Sequence, residues 1–277
     1  MVVKPEYTFT RDLIDNNRVN PQHHLWIQLF GYHVHPAIPL LGRAAENAKP
    51  LRIADIGTGT DIWMTSLGEQ IPDSVRFDGL DVSFDAAPPL QWLPSNIVLK
   101  KWNVREPPPE ELVGAYELVH IRNFAYVLQD AEVPNVLAHL VALIKPGGYL
   151  QWGEPDVASF RVERTDPKNK VDTFMDLLKV SQGQDERLAP AWISKLPETF
   201  ERSGLVNVEA DVEDAPPHPA LAMHECNLVI HGLVARQTQD TGVAEAIAQL
   251  MPEVERETRD GSCWAFTRWT VIGKKET

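Results

Sequence analysis

Cysteine is scarce. The 277-residue chain carries two, Cys226 and Cys263, too few for a disulfide framework or a cysteine zinc site. Basic residues are also in deficit, with 26 Lys and Arg against 39 Asp and Glu and a net charge of −13. That balance opposes non-specific binding to nucleic acid or to an anionic membrane, both of which call for a basic face. Apolar runs are short: stretches such as Leu137 to Ile144 fall far below the ~20 residues of a membrane span. Met1 to Thr10 lacks the apolar centre of a secretory signal, and no fixed repeat period marks a solenoid. The 43% hydrophobic content together with 16 glycines is ordinary for a globular domain. These features predict a soluble, cytoplasmic protein without nucleic-acid or membrane partners, and they leave its oligomeric state open.

Proline is plentiful, with 22 residues, and it divides the chain into segments whose apolar period switches between helix and strand. Residues 11–31 read as an N-terminal helix with Pro21 near its start and Gly31 as its stop, and residues 35–48 read as another. Leu51 to Ile56 is a buried strand and Ile62 to Gln70 a helix. Strands then follow at Val75 to Val82, Ile97 to Trp102 and Tyr116 to Ile121. A helix at 132–144 ends on Lys145-Pro146-Gly147-Gly148, and Tyr149 to Gly153 is a fifth strand. Helices over 170–202 and 219–257, with strands Val206 to Val212 and Trp264 to Lys274, complete the order. Strands alternating with helices predict an α/β fold with a mostly parallel sheet covered on both faces. The helices without a strand of their own are expected to cap its carboxyl edge: an N-terminal lid over 1–50, and insertions over about 155–202 and 213–262 within an α/β domain of 51–277.

The densest motif is Asp55-Ile56-Gly57-Thr58-Gly59-Thr60-Asp61, directly after the first strand. Glycines there let the backbone turn tightly and approach a ligand closely. Asp81 ends the second strand about 20 residues on, where an acid accepts hydrogen bonds from ribose hydroxyls. With Asp81-Val82-Ser83, Trp92 to Asn96, the proline-rich Glu106 to Arg122 and the Lys145-Pro146-Gly147-Gly148-Tyr149 turn, the chain resembles class I S-adenosylmethionine-dependent methyltransferases. Within them it is similar to fungal enzymes of secondary metabolism. The resemblance spans about residues 20–275 and implies a Rossmann-like sheet of seven strands, the last antiparallel.

It also implies S-adenosyl-L-methionine as cofactor, held residue by residue. Gly57, Thr58 and Gly59 would face the methionine part, and Asp55 would order the turn or receive the ammonium. Asp81 would take the ribose, Val82 would pack on adenine, and Asn103-Val104 would meet the adenine edge. His120 and Arg122 would line the site beneath the methyl group, and Gln22 and His23 would close a lid over the cofactor. The implied activity is methyl transfer to a small apolar or aromatic metabolite. The alternative is a methyltransferase-like cyclase or pericyclase that binds the cofactor without transferring methyl.

Histidine is the residue type suited to moving a proton near neutral pH. His120, His33 and His35 are therefore the catalytic candidates, with His120 favoured because it closes the fourth strand at the carboxyl edge. Each also reads as a half-buried residue beside aromatic neighbours. His33-x-His35 lacks further ligands nearby, and no metal is expected. Tyr126, Glu154, His224 and His231 are candidates for contacting the substrate. Glu154 alternatively reads as a solvated loop acid, and the histidine pair as packing residues two helical turns apart. Asp61 is the departure from the family pattern, which has a third glycine there. It either begins the next helix with its side chain turned from the ligand, or faces the cofactor's carboxylate and repels it.

Overall fold

The structure is a computed structural model and describes residues 10–40, 50–184 and 186–277. The short apolar runs form strands β1 (Arg52–Ile56), β2 (Arg76–Asp81), β3 (Ile97–Lys101) and β4 (Tyr116–Arg122), followed by β5 (Ile144–Arg164), β6 (Leu205–Asp214) and β7 (Ser262–Lys275). They make one sheet in the order β3-β2-β1-β4-β5-β7-β6. β1 to β5 run parallel, and β7 is antiparallel to both its neighbours, as expected from the sequence. Seven α-helices accompany the sheet among the described residues: α1 (Leu13–Phe30), α2 (Ile62–Gly68), α3 (Val133–Leu143), α4 (Asp172–Gln182), α5 (Leu196–Arg202), α6 (Pro217–Gln237) and α7 (Thr241–Arg259). None of the described helices is long and apolar enough to cross a membrane.

α1 is set by its ends. The Asp12 carboxylate accepts from the amides of Ile14 and Asp15, satisfying donors that the first turn leaves orphaned. Gly31 stops the helix at φ 80, a conformation that glycine adopts without strain. Pro21 lies inside the helix rather than near its start, because the cap that nucleates α1 is Asp12. Of the second expected helix, residues 35–39 form turns, Leu40 is helical, and the remainder from residue 41 lies outside the described residues.

The fifth strand is far longer than its local pattern suggests. It begins at Ile144, just before Lys145-Pro146-Gly147-Gly148, and continues past Gly153 to Arg164. β7 provides the reason: its first residues pair with Arg161 to Arg164 after a break in the ladder between Asp156 and Arg161. Residues 155–164 are therefore sheet, not inserted cap. β6 likewise extends to Asp214, so the later helical insertion begins at Pro217.

Three apolar clusters hold these layers. One lies under α3 and α5, with Leu137, Leu140, Trp152 and Phe200. Another packs α2 on the opposite face, through Trp63, Met64 and Phe77. The third joins α4, α6 and α7 to the outer ends of β5 and β7, through Phe174, Leu233, Val254, Trp264 and Phe266. Each large side chain so buried contributes roughly 1.5–3 kcal/mol. α1 packs along α6, with Gln22 donating to Asn227 at 2.9 Å and Arg236 to Asp12 at 2.6 Å. Trp26 lies so close to β5 that a Cβ at Gly153 would sit 2.9 Å from its ring.

Candidate functional site

The strand order reverses between β1 and β4, and in open α/β sheets ligands bind beyond the carboxyl ends at such a switch point. A cavity of about 570 Å3 occupies that place here, within the ~300–1,000 Å3 usual for small-molecule sites. Its floor is the turn after β1. Gly57 and Gly59 take φ of 66 and 56, and a Cβ on Gly57 would fall 2.5 Å from Phe124 Cε2. Gly57→Ala is therefore expected to destabilise the protein by about 1–3 kcal/mol, from left-handed strain and overpacking. Chemical denaturation measures this, and an unchanged midpoint would contradict the close-packed floor.

Asp55, Gly57, Thr58, Gly59, Asp81, Val82, Asn103, Val104, His120, Arg122 and Gln22 all line the cavity, as does Tyr126. Asp81 bridges the two sides of the turn, accepting from Gly59 N and Ser83 N, both at 3.2 Å. Burial raises its pKa against the pull of those amides. Asn103 Oδ1 accepts from Arg105 N at 3.1 Å, which fixes the amide at the far wall.

His120 is buried on the floor. Its Nδ1 lies 2.7 Å from Asp55 Oδ1, and its ring stacks on Trp63 at 3.8 Å with parallel planes. A carboxylate only accepts, so Nδ1 carries the proton and Nε2 keeps its lone pair. Burial holds the imidazole below its ordinary pKa, although Asp55 opposes this. The result is a neutral, oriented proton acceptor. The ring stack fixes its plane.

His23, expected in the lid, instead stands behind Arg122. Its Nδ1 meets the guanidinium at 3.0 Å, and it is not among the cavity-lining residues. His33 and His35 do not reach the cavity either. His33 Nε2 is 2.7 Å from Ser66 Oγ, and His35 Nε2 is 3.2 Å from Asp211. His33 thus ties the segment after α1 to α2 and His35 ties it to β6, so neither is placed to act on a bound substrate.

Glu154 is fully buried and accepts from Phe124 N, Ala125 N and Trp152 Nε1. It clamps the loop after β4 and is neither solvated nor at the cavity wall. His224 and His231 sit in the third apolar cluster around Trp264. His224 bonds Thr258 at 2.9 Å and His231 bonds Ser181 at 2.6 Å. His231 lines a small pocket of about 30 Å3 that shares Tyr126, Asn227 and Ile230 with the main cavity.

Asp61 is the N-cap of α2 at φ 60, with no capping hydrogen bond. Its Oδ1 accepts from Thr58 Oγ1 at 2.8 Å, and its buried Oδ2 has no partner. The side chain is turned away from the cavity, which its neighbours line. Of the two readings of the residue the first holds: Asp61 begins the helix with its side chain turned from the cavity, although that side chain makes no capping hydrogen bond.

Several wall residues carried no motif in the sequence. Asn227 on α6 and Arg268 on β7 reach the cavity from the late part of the chain. Arg18 on α1 does so as well, held by Asp15 at 2.6 Å. For Arg268 a signal existed: it interrupts an apolar alternation in the last strand. Among the described residues no cluster of His, Cys, Asp and Glu is arranged to hold a metal ion.

Comparison with known proteins places this geometry in context. A family described as a methyltransferase domain matches residues 26–208, about two thirds of the chain. The methyltransferase grgD of a Penicillium species is 33% identical over 150 residues, 52% of this chain and 50% of that protein. The chain thus matches about half the length of that relative. The N-methyltransferase tcpN of Claviceps purpurea is 27% identical over 74% of this chain and 70% of its own. A structure from Galdieria sulphuraria that carries the name sarcosine dimethylglycine methyltransferase shares the fold, with a TM-score of 0.53 at 13% identity over 98% of this chain and 94% of that one.

Proposed function

The chain belongs to the methyltransferase-domain family, and from that premise we propose that it moves a methyl group from S-adenosylmethionine to a small, apolar or aromatic metabolite. The observation that carries this reading is the Asp55–His120 pair, which offers an imidazole lone pair beside the glycine turn. A proton acceptor is what a protonated nucleophile requires as it is methylated, whereas a cyclase polarising a carbonyl would call for a donor there.

The cavity fits the cofactor. Gly59 leaves space against the backbone where a methionyl chain would lie, since a Cβ there would meet nothing nearer than the Gly57 carbonyl oxygen at 3.8 Å. Asp81, already fixed by two amides, would accept the ribose hydroxyls. Val82 and Val104 would flank the adenine, with the Asn103 amide at its edge. Arg122 and Gln22 would close the methionine end. When bound, the cofactor supplies a methyl group already activated on a sulfonium, so the protein's part is orientation, exclusion of water and acceptance of a proton.

The test is titration calorimetry with S-adenosylhomocysteine. Wild type is expected to bind, and Asp81→Ala to bind at least tenfold more weakly, the equivalent of about 1.5–3 kcal/mol for hydrogen bonds to a charged group. Absence of binding to the wild type overturns the proposed function. Equal affinity in a folded Asp81→Ala variant removes Asp81 from it.

A further inference from the structure

Along one face of β7 the side chains run Trp264, Phe266, Arg268, Thr270 and Ile272, all of them buried. A covered face of this kind is ordinarily apolar throughout. Arg268 breaks it, and does so at 3% exposure. A buried guanidinium is strongly disfavoured unless an anion or a full set of acceptors meets it.

Three of the other cavity arginines have closer company. Arg18 is paired with Asp15, and Arg105 with Glu132. Arg122 is met by the His23 ring nitrogen and by the face of Trp26. Arg268 differs. Among the described residues its one hydrogen bond runs from Nη1 to the Phe266 carbonyl at 3.0 Å, and it has no ion pair. Its cross-strand neighbour on β6, Glu213, is exposed and makes no ion pair with it. Asp214, a carboxylate whose charge acts on it, is engaged by Arg161 and Thr267.

The surroundings define the rest of a ligand. Arg268 lies across from Pro155 on β5, beyond the carboxyl end of β4, so it stands to one side of the glycine turn and Asp81. The cavity that it lines is also walled by Phe124, Tyr126, Val127 and Ile230, with Asn227 among the polar residues. Aromatic and aliphatic walls around one fixed, unneutralised cation suit a flat apolar body that bears a carboxylate. Guanidinium binds carboxylate through two parallel hydrogen bonds.

Resting on the methyl-transfer reading of this cavity, we propose that the acceptor is an aromatic carboxylic acid, and that Arg268 is the residue which selects it. The anion would be held at β7 while the aromatic body lies along Tyr126 and Ile230 toward His120. The net negative charge of the chain gives such an acid no general attraction, so recognition falls on this one side chain.

The experiment compares benzoate, indole-3-carboxylate and 4-phenylbutyrate with their primary amides by calorimetry, with and without saturating S-adenosylhomocysteine. For the wild type at least one acid is expected to bind tenfold or more tightly than its amide. Arg268→Met should abolish that preference while S-adenosylhomocysteine affinity stays within twofold, and Arg268→Lys should retain part of it. Equal binding of acids and amides, binding of none of the acids, or a preference that persists in Arg268→Met overturns the proposal. The acid–amide comparison in the wild type decides the matter even if Arg268→Met fails to fold. Loss of the cofactor analogue's own binding, read in the same titrations, would count against the methyl-transfer reading instead.

Discussion

His120→Ala is expected to lower kcat by about 10²- to 10⁴-fold, the usual range for removing a positioned general base, while S-adenosylhomocysteine still binds. The ring is held at three points: Asp55 Oδ1 accepts a hydrogen bond from Nδ1–H at 2.7 Å, Trp63 fixes the plane at 3.8 Å, and the strand fixes the backbone. Only Nε2 remains for a substrate, and burial keeps the ring neutral. The acid limb of the rate profile should therefore fall below the ordinary histidine value near 6.5, because a base with a lowered pKa stays unprotonated further into acid. Asp55→Asn removes the obligate acceptor that sets the tautomer, and a drop of similar size is expected from it. The measurement is S-adenosylhomocysteine release under saturating conditions with an acceptor that the wild type turns over. A His120→Ala variant within threefold of wild type would move the base elsewhere.

Asp61→Gly should stabilise the protein, by an amount that grows with pH. The carboxyl is buried, has one partner in Thr58, and burial raises its pKa to about 7. In the unfolded chain the value is near 3.9. Between those values the folded state binds the extra proton, so wild-type stability falls as pH rises from about 4 to 7 and then levels. Glycine removes that loss, which amounts to roughly 2–4 kcal/mol above pH 7, and glycine also adopts φ 60 without strain. Urea denaturation at pH 5 and pH 8 reads the difference: a small gain at the lower pH and a large one at the higher. Asp61→Asn should share the pH independence while keeping the contact with Thr58. A gain that is equal at both pH values would show that backbone strain, not ionisation, is the burden. Cofactor affinity should hardly change in either variant, because the side chain is turned from the cavity.

The parts of this protein that were legible in the sequence are those specified by neighbouring residues. β1 to β4 are short apolar runs bounded by Gly, Pro and Asp, and the turn from Gly57 to Thr60 announces itself by composition. The cofactor-side wall follows from those elements, since strands that are consecutive or adjacent in the sheet bring Asp55, Asp81 and His120 together. What was not legible depends on partners far along the chain. The outer half of β5 exists because Ser262 to Ala265 pair with it. His33 and His35 looked like site residues through proximity in sequence, but Ser66 and Asp211 claim them. Glu154 read as a loop acid because nothing local reveals the amides of Phe124 and Ala125 that it receives. Arg268 was visible only as a charge in an apolar stripe, and its meaning needs the cavity.

The break in the β5–β7 ladder has a practical corollary. Inward of it, the ribbon belongs to the sheet that carries Asp55 and His120; outward, from Arg161 and Ala265, it belongs to the helices α4, α6 and α7. The two halves are thus joined by a bulge, where register is loosest and a changed residue count is best absorbed. Exchanging the outer ribbon, α4, α6 and α7 for those of a relative calls for joins between Asp156 and Arg161 and at Ala265 to Thr267, and for two more that retain α5 and β6, because β6 pairs with the inner part of β7. A library of such chimaeras would vary the side of the cavity that α6 provides through Asn227 and Ile230, without touching the floor.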